Sequence, residues 1–399
     1  MTSLRNIVVV GANVAGLGAV TSLRSGGYDR RLTLVGDEPR LPYNRPPLSK
    51  DVLAGTATPE STALIQPDRV DRLELELELD TRANALDLRE QTVEVDGHRL
   101  PFDGLVIATG TSPRRLPELE RVAGVHTLRT LDDAVAIRDA LEHAHRLVIV
   151  GAGFIGAEVA STAHSRGLDV TIVELARDPL AQPLGPEIGK VCASLHAEHG
   201  VELRCGVTVA AVEGVDRVER VVLSDGSTLE TDLVLVAVGV RPNTDWLEGS
   251  GLEVRNGVVC DASLNTGHPA VYAAGDVARW HNELFGQEMR VEHWTNAGEQ
   301  GVHAAENLLA GREAVTPFLG VNYVWSDQYG MRIQFAGVVA DDVEIVDGSV
   351  DERRLLAWYR AGGMLVGAVG IDSPKLVARS RRLIKQRATW TEALDALAA

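Results

Sequence analysis

Two glycine-rich turns, each lying between an apolar run and a run of small residues, predict an α/β protein with two Rossmann-like dinucleotide-binding folds. Each turn follows residues typical of a buried parallel strand and begins a pattern typical of a helix. After one further apolar run, each is followed by an acidic residue that can bind ribose hydroxyls. The chain has 399 residues and is 45% hydrophobic and 24% charged, which indicates a folded protein of two or three domains.

The first fold begins with an apolar run that leads into Gly11. In this layout the pyrophosphate of a dinucleotide binds at the helix N-terminus, beside Gly11, Ala15 and Gly16. Asn13 replaces the middle glycine of the motif, and asparagine tolerates unusual backbone angles better than most residues. Asp37 ends the next predicted strand and is the candidate partner of the ribose.

The second fold carries the complete motif, and Glu174 ends its next predicted strand. This carboxylate predicts a preference for NADH, because the 2′-phosphate of NADPH would meet a like charge. Arg177, three residues later, could reduce the preference by pairing with that phosphate. The turn residues predicted to contact the nucleotide are Gly151, Gly153, Phe154, Ile155 and Gly156.

A second repeated pattern supports a duplicated architecture. An Asp-Gly pair at residues 96–97 and another at 225–226 each lie between apolar runs, which is a hairpin signal. An apolar strand follows each pair and ends at Gly110 or Gly239, where the backbone could pass close to a bound cofactor. The spacings within the two patterns agree.

Charge and composition exclude several classes of protein. Acidic residues outnumber basic residues, 56 to 39, and the formal net charge of −17 disfavours a nucleic-acid binder. No apolar run approaches the ~18 residues of a membrane span, and the first residues do not form a signal-peptide pattern. The cysteines are too scattered for an iron–sulfur cluster and indicate a reducing, cytoplasmic setting; they are Cys192, Cys205 and Cys260.

Two local patterns have a structural interpretation. Alternation from Leu73 to Leu79 predicts a half-buried strand, so its glutamates form a solvated face. His196 and His199 flank Glu198 at a spacing that could suit a metal. No third ligand presents itself, so we predict a surface helix and no metal site.

The loop from Pro42 to Lys50 is the most specific motif in the chain, and it resembles the PYxRPPLSK loop of FAD-dependent ferredoxin reductases that serve oxygenases. This family includes putidaredoxin reductase, rubredoxin reductases and the reductases of aromatic-ring dioxygenases. Further matches occur in the family's order at residues 128–131, 272–277, 292–297 and 325–329.

The resemblance implies three parts in a glutathione-reductase-like arrangement. An FAD-binding domain would comprise residues 1–108 and 245–316, and an NAD-binding domain would be inserted at 109–244. A C-terminal α/β domain would follow at 317–399. The inserted domain would then repeat the plan of its host, in agreement with the two repeats.

The resemblance also implies roles for individual residues, beginning with Gly11, Ala15, Gly16 and Asp37 around the adenosine half of FAD. Further contacts to FAD would come from Arg45 and Lys50 at the phosphates and flavin edge, Ala83 on the adenine side, Arg129 at the phosphates and Asp276 at the ribityl chain. The isoalloxazine would be lined by Glu292, His293, Trp294 and Trp325. Core packing is the alternative explanation for the two tryptophans.

Two dinucleotide sites in one chain suit hydride transfer from NADH to FAD, which needs proximity and orientation more than a protein acid or base. Lys50 and Glu158 are the candidates for positioning the nicotinamide, and a solvent-facing helix carboxylate is the alternative for Glu158. No cysteine precedes Cys192, so thiol–disulfide chemistry at the first helix is excluded. The electrons must therefore pass to an external acceptor.

The leading hypothesis is an NADH:ferredoxin reductase that passes single electrons to an iron–sulfur ferredoxin for a cytochrome P450 or a ring-hydroxylating oxygenase. A rubredoxin or quinone reductase is one alternative, and a redox-sensing binding protein similar to apoptosis-inducing factor is another. We expect a monomer or weak dimer.

An acidic ferredoxin needs a local basic patch on this acidic chain. The first candidate patch is Lys375, Arg379 and Arg382, which share one face at helical spacing, with a merely solvated helix as the alternative. Arg114 and Arg115 are the next candidates.

Overall fold

The computed structural model describes residues 4–119 and 122–398, so the outer limits of the predicted domains, residues 1 and 399, lie outside the described residues. The chain divides into two compact units, each assembled from three separate segments. The first unit contains Met1–Asn44, Ala63–Ser112 and Arg241–Tyr323. The second unit contains Arg45–Thr62, Pro113–Val240 and Val324–Ala399. Strands and helices are numbered below in chain order.

A five-stranded parallel sheet forms the centre of the first unit. Its strands, in spatial order, are β19 (Val271–Ala273), β7 (Gly104–Ile107), β1 (Asn6–Val10), β2 (Arg31–Val35) and β3 (Glu76–Glu78). The register pairs Val10 with both Val35 and Ile107, so three strands end level at one edge. The first glycine turn begins at that edge, which is where ligands bind in open parallel sheets.

The other elements of the first unit surround this sheet. The helix after the glycine turn buries Ala15, Ala19 and Leu23, because residues four apart share one helix face. The helices are α1 (Val14–Ser25), α2 (Pro67–Arg72) and α6 (Trp294–Ala310). The small sheets contain β4 (Ala83–Asp87), β5 (Thr92–Val95) and β6 (His98–Pro101), and β18 (Val258–Cys260), β20 (Ala278–Asn282) and β21 (Gln287–Met289). A two-stranded ladder pairs β8 (Thr111–Pro113) with β17 (Val240–Pro242), and each of these strands contains one of the points where the chain passes from one unit to the other.

The second unit contains a parallel sheet of the same kind. Its strands, in spatial order, are β12 (Glu202–Cys205), β11 (Asp169–Glu174), β10 (Arg146–Val150), β16 (Leu233–Val236) and β9 (Val125–His126). The same segment of the chain also forms an antiparallel sheet, which contains β13 (Val209–Glu213), β14 (Arg220–Leu223) and β15 (Thr228–Glu230). The helices of this part are α3 (Leu131–Leu141), α4 (Phe154–Ser165) and α5 (Ala181–Glu198), together with a π-helical turn at Leu48–Val52.

The last segment of the chain adds a five-stranded sheet to the second unit. In spatial order it contains β22 (Tyr323–Gln328), β23 (Met331–Gly337), β26 (Met364–Ile371), β25 (Arg354–Ala361) and β24 (Asp342–Ser349), followed in the chain by α7 (Pro374–Lys385) and α8 (Trp390–Ala398). One core joins α5 to this sheet, with Leu184 and Cys192 packed among Phe335 and Tyr359. The Tyr359 hydroxyl donates to the Leu184 carbonyl at 2.5 Å, where α5 bends at Gly185.

Two sequence-based expectations differ from the structure. The alternating segment from Leu73 to Leu79 forms a strand only at Glu76–Glu78, because Glu74 adopts a left-handed backbone conformation that interrupts it. The surface-helix prediction is wrong for His196, which is buried, with its Nδ1 atom 2.7 Å from the Tyr329 hydroxyl. Among residues 4–119 and 122–398, no helix is long and apolar enough to cross a lipid bilayer.

Candidate functional site

The first glycine turn has the tight backbone geometry that a nucleotide-binding loop requires. Gly11 has a φ of +129°, and a Cβ atom there would lie 2.0 Å from the Ala108 carbonyl oxygen. A Cβ atom at Gly16 would lie 1.9 Å from the Gly11 carbonyl oxygen. Because neither position admits a side chain, the strand, the turn and the helix can approach closely only with these residues.

Asn13 has a role that its substitution for glycine did not reveal. Its Oδ1 accepts hydrogen bonds from the amides of Ala15 and Gly16 at 3.0 and 3.3 Å. Its Nδ2 donates to the Ala108 carbonyl at 2.7 Å. Asn13 is therefore the N-cap of α1 and ties the helix start to the end of β7.

Asp37 lies exposed beyond the end of β2, where a ribose hydroxyl can reach its carboxylate. The neighbouring Glu38 is already engaged, since it accepts a hydrogen bond from the Tyr43 hydroxyl at 2.6 Å. Ala83 is buried at the start of β4. Because Asp37 is exposed and Glu38 is engaged, Asp37 is the better candidate to bind the ribose in the adenosine half of a dinucleotide.

A second group of polar residues in the first unit follows β19. Asp276 accepts a hydrogen bond from the Thr111 hydroxyl at 3.1 Å, and its backbone carbonyl accepts one from Arg290 at 3.1 Å. The N-cap of α6, His293, is close enough to feel the Asp276 charge. Burial nevertheless lowers the pKa of His293 to about 4, so the imidazole is neutral at pH 7.

Buried polar atoms near Asp276 indicate a site for a polar ligand. Within the described residues, His293 Nδ1, Asn296 Nδ2 and Gln300 Nε2 are buried without a hydrogen-bond partner. Such atoms are rare in folded proteins and mark places where a ligand or water binds. The ribityl hydroxyls and polar ring edge of FAD would satisfy them, so the residues present fit this cofactor.

The tryptophans predicted near the flavin are not ordinary core residues. Trp294 is 36% exposed and lines an apolar groove of 440 Å³ with Val302 and Phe318. Trp325 is half-buried on β22, in the second unit. Glu292 is exposed and pairs with Arg290 at 2.6 Å. Partial exposure makes core packing an insufficient explanation for either tryptophan.

The second glycine turn repeats the geometry of the first without a side-chain cap. Gly151 has a φ of +107°, and a Cβ atom at Gly156 would lie 2.2 Å from the Gly151 carbonyl oxygen. Gly153 is the N-cap of α4, where no side chain bonds the first amides and a Cβ atom would have no neighbour within 4 Å. Ile155 is 40% exposed in the first turn of α4. Open amides at a helix start form a phosphate site.

Glu174 is fixed beside this turn. One carboxylate oxygen accepts from the Ala152 amide and the other from the Ala176 amide, both at 2.7 Å. The carboxylate that was predicted to meet the ribose therefore lies beside the glycine loop, held by backbone groups.

Gly239, the other glycine predicted near a cofactor in this unit, has a φ of +91° and lies near Arg114. The Arg114 amide donates a hydrogen bond to the Gly239 carbonyl at 2.9 Å.

The two residues predicted to position the nicotinamide form a buried ion pair. Lys50 Nζ lies 2.6 Å from Glu158 Oε2, and both side chains are largely buried. Lys50 Nζ also donates to the Pro46 carbonyl at 3.1 Å. Glu158 is thus not a solvent-facing helix carboxylate. A buried pair of this kind is stable only with its hydrogen bonds complete.

Helix α4 holds the segment that carries Lys50, a feature that sequence reasoning missed. Thr162 Oγ1 donates to the Ser49 carbonyl at 2.9 Å, and an Arg166 nitrogen donates to the Leu53 carbonyl at 2.8 Å. With Glu158, these residues occur at every fourth position and form one stripe. The spacing of these residues was visible in the sequence, but the segment that they contact was not.

Arg45, in the loop that carries Lys50, donates a hydrogen bond to the Arg129 carbonyl at 2.6 Å.

Each unit therefore contains a parallel sheet, a glycine turn and an acid after the neighbouring strand. This arrangement defines an oxidoreductase with two dinucleotide-binding folds. Within the described residues, no cluster of three or more His, Cys, Asp or Glu side chains could hold a metal ion.

Comparisons with known proteins agree with that class. The family described as pyridine nucleotide-disulphide oxidoreductase matches residues 5–301, and the reductase C-terminal family matches residues 323–398. Putidaredoxin reductase from Pseudomonas putida is 35% identical, with 97% of this chain and 93% of that protein covered. The ferredoxin–NAD(+) reductase component of the p-cumate 2,3-dioxygenase system of Pseudomonas putida is 36% identical, with 97% and 94% covered.

A solved ferredoxin reductase from Rhodopseudomonas palustris has a TM-score of 0.91 at 34% identity, with 99% of this chain and 100% of that chain covered. The chain belongs to the pyridine nucleotide-disulphide oxidoreductase family and ends in a reductase C-terminal domain. Its three cysteines are all free, and the first of them along the chain is Cys192. The family's disulfide chemistry therefore has no redox pair in this chain.

Proposed function

We propose that this oxidoreductase is an NADH-dependent ferredoxin reductase. Its second glycine turn, with open α4 amides and a fixed Glu174, carries the NADH half of the proposal. FAD, when bound, supplies a centre that accepts two electrons as a hydride and releases them one at a time. That property suits an iron–sulfur acceptor, which takes a single electron.

The protein's own contribution is binding and orientation. The first unit would hold FAD through the Gly11 turn, Asp37 and Asp276, with His293 and Asn296 against its polar groups. We propose an FAD-binding domain at 1–108 and 245–316 and an NAD-binding domain at 109–244. Residues 317–399 would form the C-terminal domain.

The buried pair of Lys50 and Glu158 would orient the nicotinamide on the NADH side. A carboxylate and an ammonium group offer one acceptor and one donor to a carboxamide, so they can fix which ring face is presented. The pair excludes water from the same place because both side chains are largely buried. Orientation of this kind accelerates hydride transfer without any proton transfer by the protein.

The electron acceptor is proposed from the chain's cysteines and its relatives. With no disulfide pair, electrons must leave the protein, and the relatives named above are reductases of ferredoxins or of a dioxygenase system. We therefore propose a ferredoxin that serves a cytochrome P450 or a ring-hydroxylating oxygenase. A cytoplasmic setting and a monomer or weak dimer remain predictions.

We place ferredoxin docking at the basic face of α7, formed by Lys375, Arg379 and Arg382. The helix exists as predicted, and Lys375 and Arg382 are exposed. Among the residues described, no carboxylate lies within salt-bridge distance of these three side chains. Their charge is thus available to attract an acidic partner to a chain whose net charge is −17.

The function is tested by mixing the purified protein with NADH in a stopped-flow instrument and then adding acceptors. We expect rapid bleaching of the flavin spectrum, followed by faster reduction of a [2Fe–2S] ferredoxin than of rubredoxin or a quinone. Preferred turnover of rubredoxin or quinone would contradict the proposed acceptor. A long-lived reduced complex with slow electron release would instead indicate a redox-sensing protein.

Docking is tested separately with Arg379→Glu/Arg382→Glu. We expect slower ferredoxin reduction at low salt, convergence with wild type at high salt, and an unchanged flavin reduction rate, because steering acts on association. Arg69→Glu/Arg89→Glu, on exposed positions of the first unit, makes the same change in net charge. Equal slowing by both variants would show that net charge, rather than the α7 basic face, controls the encounter.

A further inference from the structure

The Glu158 carboxylate is held at both oxygens. Oε2 accepts hydrogen bonds from the Ser49 hydroxyl at 2.5 Å and from Lys50 at 2.6 Å. Oε1 accepts one from the Ser326 hydroxyl, on β22, at 2.8 Å. The side chain is 6% exposed, so water does not supply these bonds. Two separate segments of the second unit therefore fix its orientation.

Gln328 extends this set of hydrogen bonds by one residue. Its Nε2 donates to the Ser326 hydroxyl oxygen at 2.9 Å. Because the amide group can only donate there, the Ser326 proton is directed to Glu158. Ser326 and Gln328 are each 1% exposed. The result is a buried series in which each hydrogen bond polarises the next, from Gln328 through Ser326 to Glu158 and Lys50.

We propose that Ser326 and Gln328 are positioning residues for the nicotinamide site, an inference that rests on the proposed function. They fix the rotation of the Glu158 carboxylate, and through it the direction of the Lys50 ammonium group. The terminal torsion of a glutamate has a broad, shallow profile, so a carboxylate with one free oxygen would turn. Lys50 and Ser49 would still bond Oε2, but the direction in which the Lys50 ammonium group points would no longer be fixed.

The position of Ser326 gives the series a second consequence. Ser326 follows Trp325 directly on β22, and neighbouring strand residues point to opposite faces. The bond from Ser326 to Glu158 therefore also fixes the backbone that carries Trp325. The C-terminal sheet is in this way part of the nicotinamide site, although it has no nucleotide motif of its own.

The first readout is the chemical reactivity of Lys50 in the protein without NADH. The lysines of the chain are Lys50, Lys190, Lys375 and Lys385, so mass spectrometry after acylation by a succinimidyl ester resolves each one. In Ser326→Ala we expect Lys50 acylation to accelerate about threefold or more, since the loss of one charge-assisted hydrogen bond loosens its partner. Lys190, which is exposed, serves as the internal reference.

The second readout is flavin reduction by NADH. In Ser326→Ala we expect the rate at saturating NADH to fall about tenfold, with little change in the NADH concentration at half-saturation, because Glu174 and the glycine turn still bind the nucleotide. Ser326→Thr keeps a hydroxyl and is expected to restore most of the rate. Gln328→Met, which removes only the outer donor, is expected to have a smaller effect in the same direction.

Ser380→Ala is the matched control. Ser380 is a fully buried serine of α7 whose hydroxyl oxygen accepts a bond from Trp358, so its loss disturbs the C-terminal domain without touching Glu158. Equal effects of Ser380→Ala and Ser326→Ala, or unchanged Lys50 acylation in both Ser326→Ala and Gln328→Met, would overturn the proposal. A wild-type protein that NADH does not reduce would refute the proposed function instead, while the acylation pattern would still report on Glu158.

Discussion

At the scale of single residues, Asn13 shows how a departure from a motif can stabilise the fold. It caps α1 through two amides and bonds the end of β7. We predict that Asn13→Ala lowers the free energy of unfolding by about 1–2 kcal/mol, as loss of a helix cap does. Denaturant unfolding of the flavin-free protein measures this. Asn84→Ala, at an exposed asparagine, is the control, and an equal loss there would argue against capping.

Glu174 gives a prediction about coenzyme choice. Its carboxylate is fixed by the Ala152 and Ala176 amides, so it cannot turn away from a 2′-phosphate. Glu174→Gln removes the charge and can keep one of these two bonds, because a glutamine amide has a single acceptor oxygen. We expect the ratio of kcat/KM for NADH over NADPH to fall by about tenfold or more. Glu202→Gln, on the neighbouring strand, should leave the ratio unchanged, and a ratio near one in the wild-type protein would contradict the role of Glu174.

His196 predicts a loss of stability in mild acid. Burial lowers its pKa from 6.5 to about 4, so between these values the unfolded chain takes up a proton that the folded state refuses. The contribution of His196 to the free energy of unfolding is therefore fully present above pH 6.5. It decreases by up to about 3 kcal/mol as the pH falls toward 4. We expect the Tm of His196→Gln to decrease less than that of the wild-type protein when the pH is lowered from 7.5 to 5. His143→Gln, at an exposed histidine, should follow the wild-type curve.

At the scale of elements, α4 is the helix that organises the second unit. Thr162 of α4 and Arg166, which directly follows the helix, bond the carbonyls of Ser49, within the π-helical turn, and Leu53, directly after it. We predict that Thr162→Val combined with Arg166→Ala accelerates hydrogen exchange of the amides in 48–53 by about tenfold, because local opening becomes easier. Ser165→Ala, whose hydroxyl bonds only its own helix, is the control. Unchanged exchange would show that the turn is held by its own packing.

The elements also show how far sequence reasoning extends. The strands and helices around both glycine turns follow from local periodicity, and so does the basic helix α7. The π-helical turn at Leu48–Val52 does not, since it depends on side chains of α4 more than 100 residues later in the chain. The strand expected over Leu73–Leu79 is also shorter than predicted. The alternation of apolar and acidic residues indicates which side chains are buried, but it does not indicate the left-handed backbone conformation at Glu74.

The candidate site divides in the same manner. Glu174 was a candidate from its motif and Asp276 from the family resemblance, whereas the contact between Lys50 and Glu158 was not predicted. Ser326 and Gln328 were not identified because their importance comes only from what they touch. Contacts between distant segments are set by the tertiary fold, and no spacing within one segment contains them.

At the scale of the whole molecule, the cofactor is expected to be a structural element. FAD at a hundredfold excess over its Kd adds about 2.7 kcal/mol to the free energy of unfolding by mass action. We predict that removing the flavin lowers Tm, that re-adding FAD restores it, and that Asp276→Ala weakens the restoration. Asp68→Ala, at an exposed aspartate, should be restored like wild type. A Tm that does not depend on FAD would contradict the assigned flavin site.

The interleaving of the two units has a consequence for how the protein is made. The first unit includes residues up to Tyr323, and its parallel sheet is complete only after β19, which pairs with β7, has been synthesised. A ribosome adding about 5–20 residues per second needs on the order of 14–56 s to pass from the end of the first segment to the end of the last. During that interval the apolar strands β1 and β2 cannot be fully covered. Overproduction at lower temperature or with added chaperones should therefore raise the soluble yield more than any single stabilising substitution.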